Sequence, residues 1–171
     1  MTILLPKTKG AYALHLHVAS PNDVQIGRLG RFSFPAGDYI YLGSALGPGG
    51  LAARINRHVR GDGHLHWHID YLQEKAILIG FFYLEAEQRL ECLWSQTLAS
   101  LPQACIPVPH FGNSDCKISG RSCAAHLVSF RSGFASQKLQ EILVAVSDMS
   151  IPSLSYYTFI CNSKGDLGHM E

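Results

Sequence analysis

Two tyrosines, an arginine and a histidine stand in an order that suits phosphodiester chemistry. Tyr12 closes Gly10-Ala11-Tyr12 at the head of an apolar run, and Tyr41 opens Tyr41-Leu42-Gly43 at the end of another. Arg54 and His58 follow, four positions apart, beyond the turn Gly47-Pro48-Gly49-Gly50. A guanidinium offers the non-bridging oxygens of a phosphate a permanently charged, planar fork of donors. An imidazole with an ordinary pKa of about 6.5 accepts protons near neutrality. A phenol starts near 10 and needs a neighbouring cation to do the same. These residue types leave the general base undecided between Tyr12 and His58. Taken singly, each tyrosine reads as a sheet residue whose hydroxyl only hydrogen-bonds; the joint pattern is what carries chemistry.

Two further groups could bind metal. If 64–71 is extended, His64, His66, His68 and Asp70 project to one side, opposite Leu65, Trp67, Ile69 and Tyr71. Three imidazoles and a carboxylate would suit a transition metal. The competing readings are a polar strand face, Asp70 as the cap of a short helix, or a metal-free role beside the active site. Cys116, Cys123 and His126, with Cys105 or Asp115 as a fourth ligand, form the other group. They lack a paired Cys-x-x-Cys, so zinc is the weaker expectation. Five cysteines behind no apolar leader are expected to be reduced thiols.

The elements that must position these residues follow from periodicity. In 11–19, Leu14, Leu16 and Val18 alternate with Ala13, His15 and His17, which predicts a half-buried strand with its histidines at the surface. Val24 to Phe34 reads as a second strand or hairpin arm, and Tyr39 to Leu42 as a third. Turns at Pro21-Asn22-Asp23 and Pro35 to Asp38 make the sheet antiparallel. The glycine-rich loop has neither the P-loop ending nor dinucleotide-fold spacing. It is expected to launch a helix over Leu51 to Val59, with Leu51, Ile55 and Val59 buried and Arg54 and His58 on the adjoining stripe. Ala76 to Leu84 predicts a buried strand, Glu85 to Leu101 a helix, Leu127 to Phe130 a short strand, Ser136 to Val146 a helix, and Tyr156 to Ile160 a last strand before a frayed tail.

The chain has 171 residues, 47% hydrophobic and 16% charged, which is material for one domain with a core and not for disorder. No run reaches membrane-spanning length, so a soluble, cytoplasmic protein is expected. A net charge of +1 does not mark a strongly basic nucleic-acid binder, although Arg54, Arg57, His58 and Arg60 supply a local basic patch.

Gly10-Ala11-Tyr12 and Tyr41-Leu42-Gly43, followed by Arg54 and His58, resemble the GIY-YIG nuclease superfamily. The fuller set Gly-Ser-Ala-Leu-Gly-x-Gly-Gly-Leu, His-Trp-His-Ile-Asp-Tyr-Leu and Phe-Gly-x-Ser-Asp-Cys is similar to one compact subfamily of it, across about residues 9 to 130. In this sequence Cys123 stands further beyond Cys116 than the subfamily's second cysteine does. The resemblance implies an α/β (α+β) fold, a small antiparallel sheet of about three strands in mixed order flanked by helices. It implies a nuclease domain over 1–134, with 135–171 a helix-strand extension packed on or appended to it. The implied activity is hydrolysis of a DNA phosphodiester with one Mg2+ or Mn2+, with Zn2+ less expected. Tyr12, Tyr41, Arg54 and His58 would be catalytic. Glu91 matches by position the glutamate that holds the metal, with Glu85 or Glu87 in reserve. Gly43, Ser44, Arg57, His66, His68, Asp70 and Asn113 would support the site. The alternatives are a nucleic-acid-binding module of weak catalysis on the same fold, or a metal-binding protein built on the histidine cluster.

Overall fold

Apolar residues occupy both faces of the strand that carries Tyr12, and this double burial sets the architecture. The computed structural model describes residues 3–61, 64–114, 116, 122–131, 134, 136–147, 155–161 and 167–170. Strand β1 (Gly10–Val18) is followed by β2 (Asn22–Ile26), β3 (Gly30–Phe34) and β4 (Gly37–Ser44). Helices α1 (Gly50–Arg60) and α2 (His68–Gln73) lead to β5 (Ile77–Glu85), α3 (Glu91–Ala99), β6 (Ala104–Cys105) and β7 (Leu127–Phe130). Helix α4 (Ser136–Val146) and strands β8 (Ser155–Cys161) and β9 (Leu167–Met170) complete the order. The main sheet runs β6-β7-β4-β1-β5-β8-β9 with antiparallel pairing throughout, and β2 with β3 forms a separate hairpin.

The expected antiparallel sheet flanked by helices is present, but it is wider than three strands. β4, β1 and β5 form its centre, and β7, β6, β8 and β9 extend it on both sides. On one face Tyr12, Leu14, Leu16, Tyr41 and Phe81 pack with Leu51 and Ile55 of α1 and with Ile69 and Leu72 of α2. On the other, Ala11, Ala13, Ile40, Leu42 and Phe82 pack with Trp94 and Leu98 of α3 and with Leu139 and Leu143 of α4. A sheet covered on both faces reads as near-continuous apolar sequence, which is what β4 and β5 show. Trp94 Nε1 donates to Ser147 Oγ (3.0 Å), and that hydroxyl donates to the Leu143 carbonyl, so α4 is tied to α3.

Three local expectations are corrected. His15 is buried and not at the surface, because α4 covers its face; its Nδ1 lies 3.2 Å from Ser136 Oγ. The stretch 64–71 is not one extended strand, since α2 begins at His68. The helix expected from Glu85 starts only at Glu91, because β5 continues to Glu85. Within the expected frayed tail, Leu167–Met170 pairs with β8, and 162–166 lie outside the described residues. Among the described residues no helix is long and apolar enough to cross a membrane.

The N-terminal segment belongs to the packing of α1. The first N–H groups of that helix need acceptors, and the carbonyls of Thr8 and Pro6 take those of Leu51 and Ala52 (both 2.9 Å). Buried Asn56 clamps the same segment, accepting from the Ile3 N–H at 2.7 Å and donating to the Ile3 carbonyl at 2.9 Å. Asn56→Ala strands two buried backbone groups and is expected to lower stability by about 1–3 kcal/mol. Chemical denaturation measures that loss, and faster amide exchange at Ile3 locates it.

Candidate active site

Tyr12 and Gly43 face each other across β1 and β4, and Leu14 faces Tyr41 two positions along. Side chains two apart on a strand share a face, so both phenols emerge together, with ring centroids 6.5 Å apart. The Tyr12 ring lies against the Gly43 backbone, where any Cβ would collide with it. Gly10 is required for a similar reason, since a Cβ there would strike the Leu84 carbonyl and the Leu51 side chain. The two glycines are thus places where neighbouring groups come too close for a side chain.

Behind Tyr12 stands His58, only 2% exposed. Tyr12 Oη lies 3.1 Å from His58 Nε2, and His58 Nδ1 lies 2.9 Å from Gln73 Oε1. Gln73 Nε2 donates to the His58 carbonyl (3.0 Å), which leaves Oε1 as the acceptor and places the imidazole proton on Nδ1. His58 Nε2 is therefore the acceptor for the Tyr12 hydroxyl. Burial, only partly offset by the Gln73 hydrogen bond, pulls the His58 pKa down to about 4. Burial and the neighbouring Tyr41 push the Tyr12 phenol well above 10 despite Arg54 and Arg57 nearby. Both groups are neutral at pH 7. On its far side His58 borders a second cavity of about 530 Å3, shared with Gln73 and Asp70.

In front of Tyr12 lies a cleft of about 630 Å3, lined by Tyr12, Tyr41, Gly43, Ser44, Leu46, Gly47, Arg54, His66, Trp67, His68, Arg89, Glu91, Gly112, Ser114 and His126. Arg54 lies over the Trp67 ring at 4.6 Å and has no carboxylate partner among the described residues. Arg57 covers the same ring at 4.2 Å but is committed elsewhere, with a bidentate pair of 2.7 and 2.8 Å to Asp70. Asp70 also accepts the N–H groups of His66 and Trp67 and so caps the start of α2. Burial alone would raise its pKa; Arg57 and the two N–H groups outweigh that and lower it. Asp70 is occupied as a cap and ion-pair partner, which removes the carboxylate from the proposed histidine metal site. His68 Nδ1 accepts from the Gly112 N–H (3.0 Å), and burial lowers its pKa.

Glu91 opens α3 and is 2% exposed. Arg89 Nη1 lies 3.3 Å from its Oε1, and its Oε2 has no hydrogen-bond partner among the described residues. An unpartnered carboxylate oxygen on a cleft wall fits a hard divalent cation. Glu85 and Glu87 do not line the cleft: Glu85 Oε2 accepts from Thr8 Oγ1 (2.5 Å) and Glu87 pairs with Lys9 (2.9 Å). With two guanidiniums against one carboxylate, the cleft favours an anion.

Beside this wall is a group that could hold a metal ion. Cys92, Cys116, Cys123 and His126 are all buried, and their donor atoms lie within 4.8 Å of one another. Burial and the neighbouring thiols push the Cys92 pKa up to about 11 and the Cys123 pKa higher still. Cys105 is exposed and outside this group, and Asp115 lies outside the described residues.

The model of the family described as Domain of unknown function DUF123 matches residues 11–149. The chain belongs to this family. The matched span takes in every residue of the cleft and all four donors of the thiol group. Comparison with curated proteins and with solved structures finds no match.

In this DUF123 chain Tyr12, Tyr41, Gly43, Ser44, Arg54, His66, His68 and Glu91 line the cleft. His58 stands directly behind it. Arg57 and Asp70 brace α2 against α1 without lining the cleft. Asn113 donates to the Cys123 carbonyl at 2.6 Å and so serves the cysteine loop instead. Trp67, Gln73, Arg89 and Cys92 were not anticipated in these roles. For Cys92 the only sequence cue was its place directly after Glu91.

Unfolded His58 protonates near 6.5, and folded His58 only near 4. Between those values the unfolded chain binds the extra proton, so this residue makes stability fall as pH drops from about 6.5 toward 4. Asp38, held at about 2, titrates below that window: burial would raise it, but the facing His15 and His17 and the Phe134 N–H prevail. Denaturation midpoints across pH 4 to 7 are expected to decline toward acid, and His58→Gln is expected to flatten the decline.

Proposed function

We propose that this protein is a divalent-metal-dependent endonuclease of the GIY-YIG kind, hydrolysing DNA phosphodiesters. One observation carries the reading: side chains from β1, β4, α1 and α3 meet at one cleft that presents two phenols, an unpaired guanidinium and a buried carboxylate. Arg54 receives the scissile phosphate and stabilises negative charge as it gathers on the non-bridging oxygens. Its plane is held by the Trp67 ring. Because the Tyr12 hydroxyl donates to His58 Nε2, its oxygen lone pairs are left to accept from an attacking water. As that water gives its proton to Tyr12 Oη, the phenol proton passes to His58 Nε2, and the resulting imidazolium keeps its Nδ1–H on Gln73 Oε1. This relay gives Tyr12 and His58 one shared role, with neither acting as base alone. Tyr41 and His68 border the same space and position substrate oxygens. Glu91 would hold Mg2+ or Mn2+, which when bound polarises the phosphate and stabilises the leaving oxygen.

One contact favours a second reading. The Arg89 guanidinium sits beside Glu91 where a metal's charge would otherwise be needed. In that reading the cleft grips nucleic acid without cutting it.

The test incubates the protein with supercoiled, branched and single-stranded DNA, and with RNA, in Mg2+ or Mn2+. Wild-type protein is expected to nick DNA only with metal. Arg54→Ala should slow the reaction by about 10²–10³-fold, and Glu91→Gln and Tyr12→Phe should also be impaired while remaining folded. Intact substrates in every condition, or Arg54→Ala and Glu91→Gln variants as fast as wild type, would overturn the endonuclease. Retained binding with no cleavage supports the second reading.

A further inference from the structure

The head of α3 carries two adjacent residues of different chemistry. Glu91 faces the cleft, and Cys92 turns toward Cys116, Cys123 and His126. Cys116 Sγ lies 3.2 Å from Cys92 Sγ, 3.0 Å from Cys123 Sγ and 3.0 Å from His126 Nε2. His126 Nε2 lies 3.5 Å from Cys123 Sγ and 3.7 Å from Cys92 Sγ. A zinc ion with bonds of about 2.3 Å to sulfur and about 2.0–2.1 Å to nitrogen sets tetrahedral ligands about 3.5–3.8 Å apart. These five separations already approach that spacing and all four donors lie within 4.8 Å of one another, so shifts of about 1 Å or less complete it. A disulfide needs sulfurs about 2.0 Å apart and would leave the third thiol and the imidazole unused. Three thiolates and an imidazole are soft and borderline donors, unlike the oxygens that Mg2+ or Mn2+ prefers.

We propose that Cys92, Cys116, Cys123 and His126 hold one structural zinc ion that clamps the loop between β6 and β7 onto the head of α3. The site is closed, because all four ligands are buried and protein donors fill the coordination shell. Loading it releases the thiol protons to solvent as the sulfurs become thiolates. The stretch from Ile106 to His126 contains no strand or α-helix among its described residues, so few backbone ladders hold it. One bound ion joins three points of this segment's path to α3 and closes loops that would otherwise be costly to order. Ser114 and His126 in the same path line the cleft, as does Glu91 beside Cys92. The zinc thereby fixes a whole wall of the cleft and the carboxylate set in it. This site is distinct from any Mg2+ or Mn2+ at Glu91 and does not depend on nuclease activity.

The test uses the full chain, purified without a histidine tag, and needs no DNA. Elemental analysis should find one zinc per chain, released when a mercurial blocks the thiols. Replacement by Co2+ in wild-type protein should give the intense visible bands of a tetrahedral site and thiolate-to-cobalt charge transfer, which does not depend on any variant folding. Cys116→Ser and Cys92→Ser should lose the metal, and Cys105→Ser should keep it. Removing zinc should speed amide exchange in 105–126 at least tenfold while β1, β4 and β5 stay protected. The proposal is overturned by protein that is folded and metal-free, by a Cys116–Cys123 disulfide, or by zinc that survives Cys116→Ser but leaves with His66→Ala or His68→Ala. It is equally overturned if zinc removal leaves exchange in 105–126 unchanged.

Discussion

The contact between the Tyr12 ring and the bare backbone of Gly43 is the constraint from which the rest of the cleft follows. Only a residue without a Cβ lets the aromatic ring lie across the neighbouring strand, and that posture brings its hydroxyl to His58. The helix bearing His58 must then start just after β4 ends. The segment Gly47-Pro48-Gly49-Gly50 does this, with Gly49 and Gly50 both at positive φ, where a side chain would be strained. The first N–H groups of α1 are spent on the carbonyls of Pro6 and Thr8. The glycine-rich turn therefore builds the helix and is not an anion cradle, which leaves side chains such as Arg54 as the donors that the cleft offers an anion.

Two polar constructions brace this arrangement from behind. Arg57 and Asp70 form a bidentate pair between α1 and α2 while Asp70 also caps α2, so one carboxylate orients two helices. Trp67 lies beneath both guanidiniums, turning Arg57 inward to Asp70 and leaving Arg54 toward the cleft. Removing either polar partner would leave the other charged group half-buried and uncompensated, which costs more than the pair itself contributes. On the opposite side of the sheet α3 and α4 supply the second layer, so the cleft belongs to a sheet that is covered on both faces.

The strands and helices nearest the cleft were legible because each is long enough to show a period and is punctuated by glycine or proline. Elements that a period cannot reveal were not. Helix α2 spans six residues, too few for an amphipathic repeat, so the sequence offers it only as an alternative through a cap at Asp70, the carboxylate that does fix its start. His15 was misread because alternation implies one solvent face, whereas α4, far along the chain, covers it. Tyr12, Tyr41 and Arg54 could be singled out because short motifs mark them. Cys92 could not, since a lone cysteine in an apolar helix looks like core, and its partners are brought to it only by the loop that returns before β7. Gln73 acts from the last position of α2 and Arg89 from the link before α3, where spacing says little.

His58 forms a partition between two basins: the cleft in front, reached through Tyr12, and the cavity behind, bordered by Gln73 and Asp70. Whatever fills the front basin leaves the rear one open. The Nδ1 edge of the imidazole thus has an approach of its own to the surface, which an occupant of the cleft does not cover. The two edges of one imidazole are thereby served by separate openings, where a plain cleft offers a single mouth.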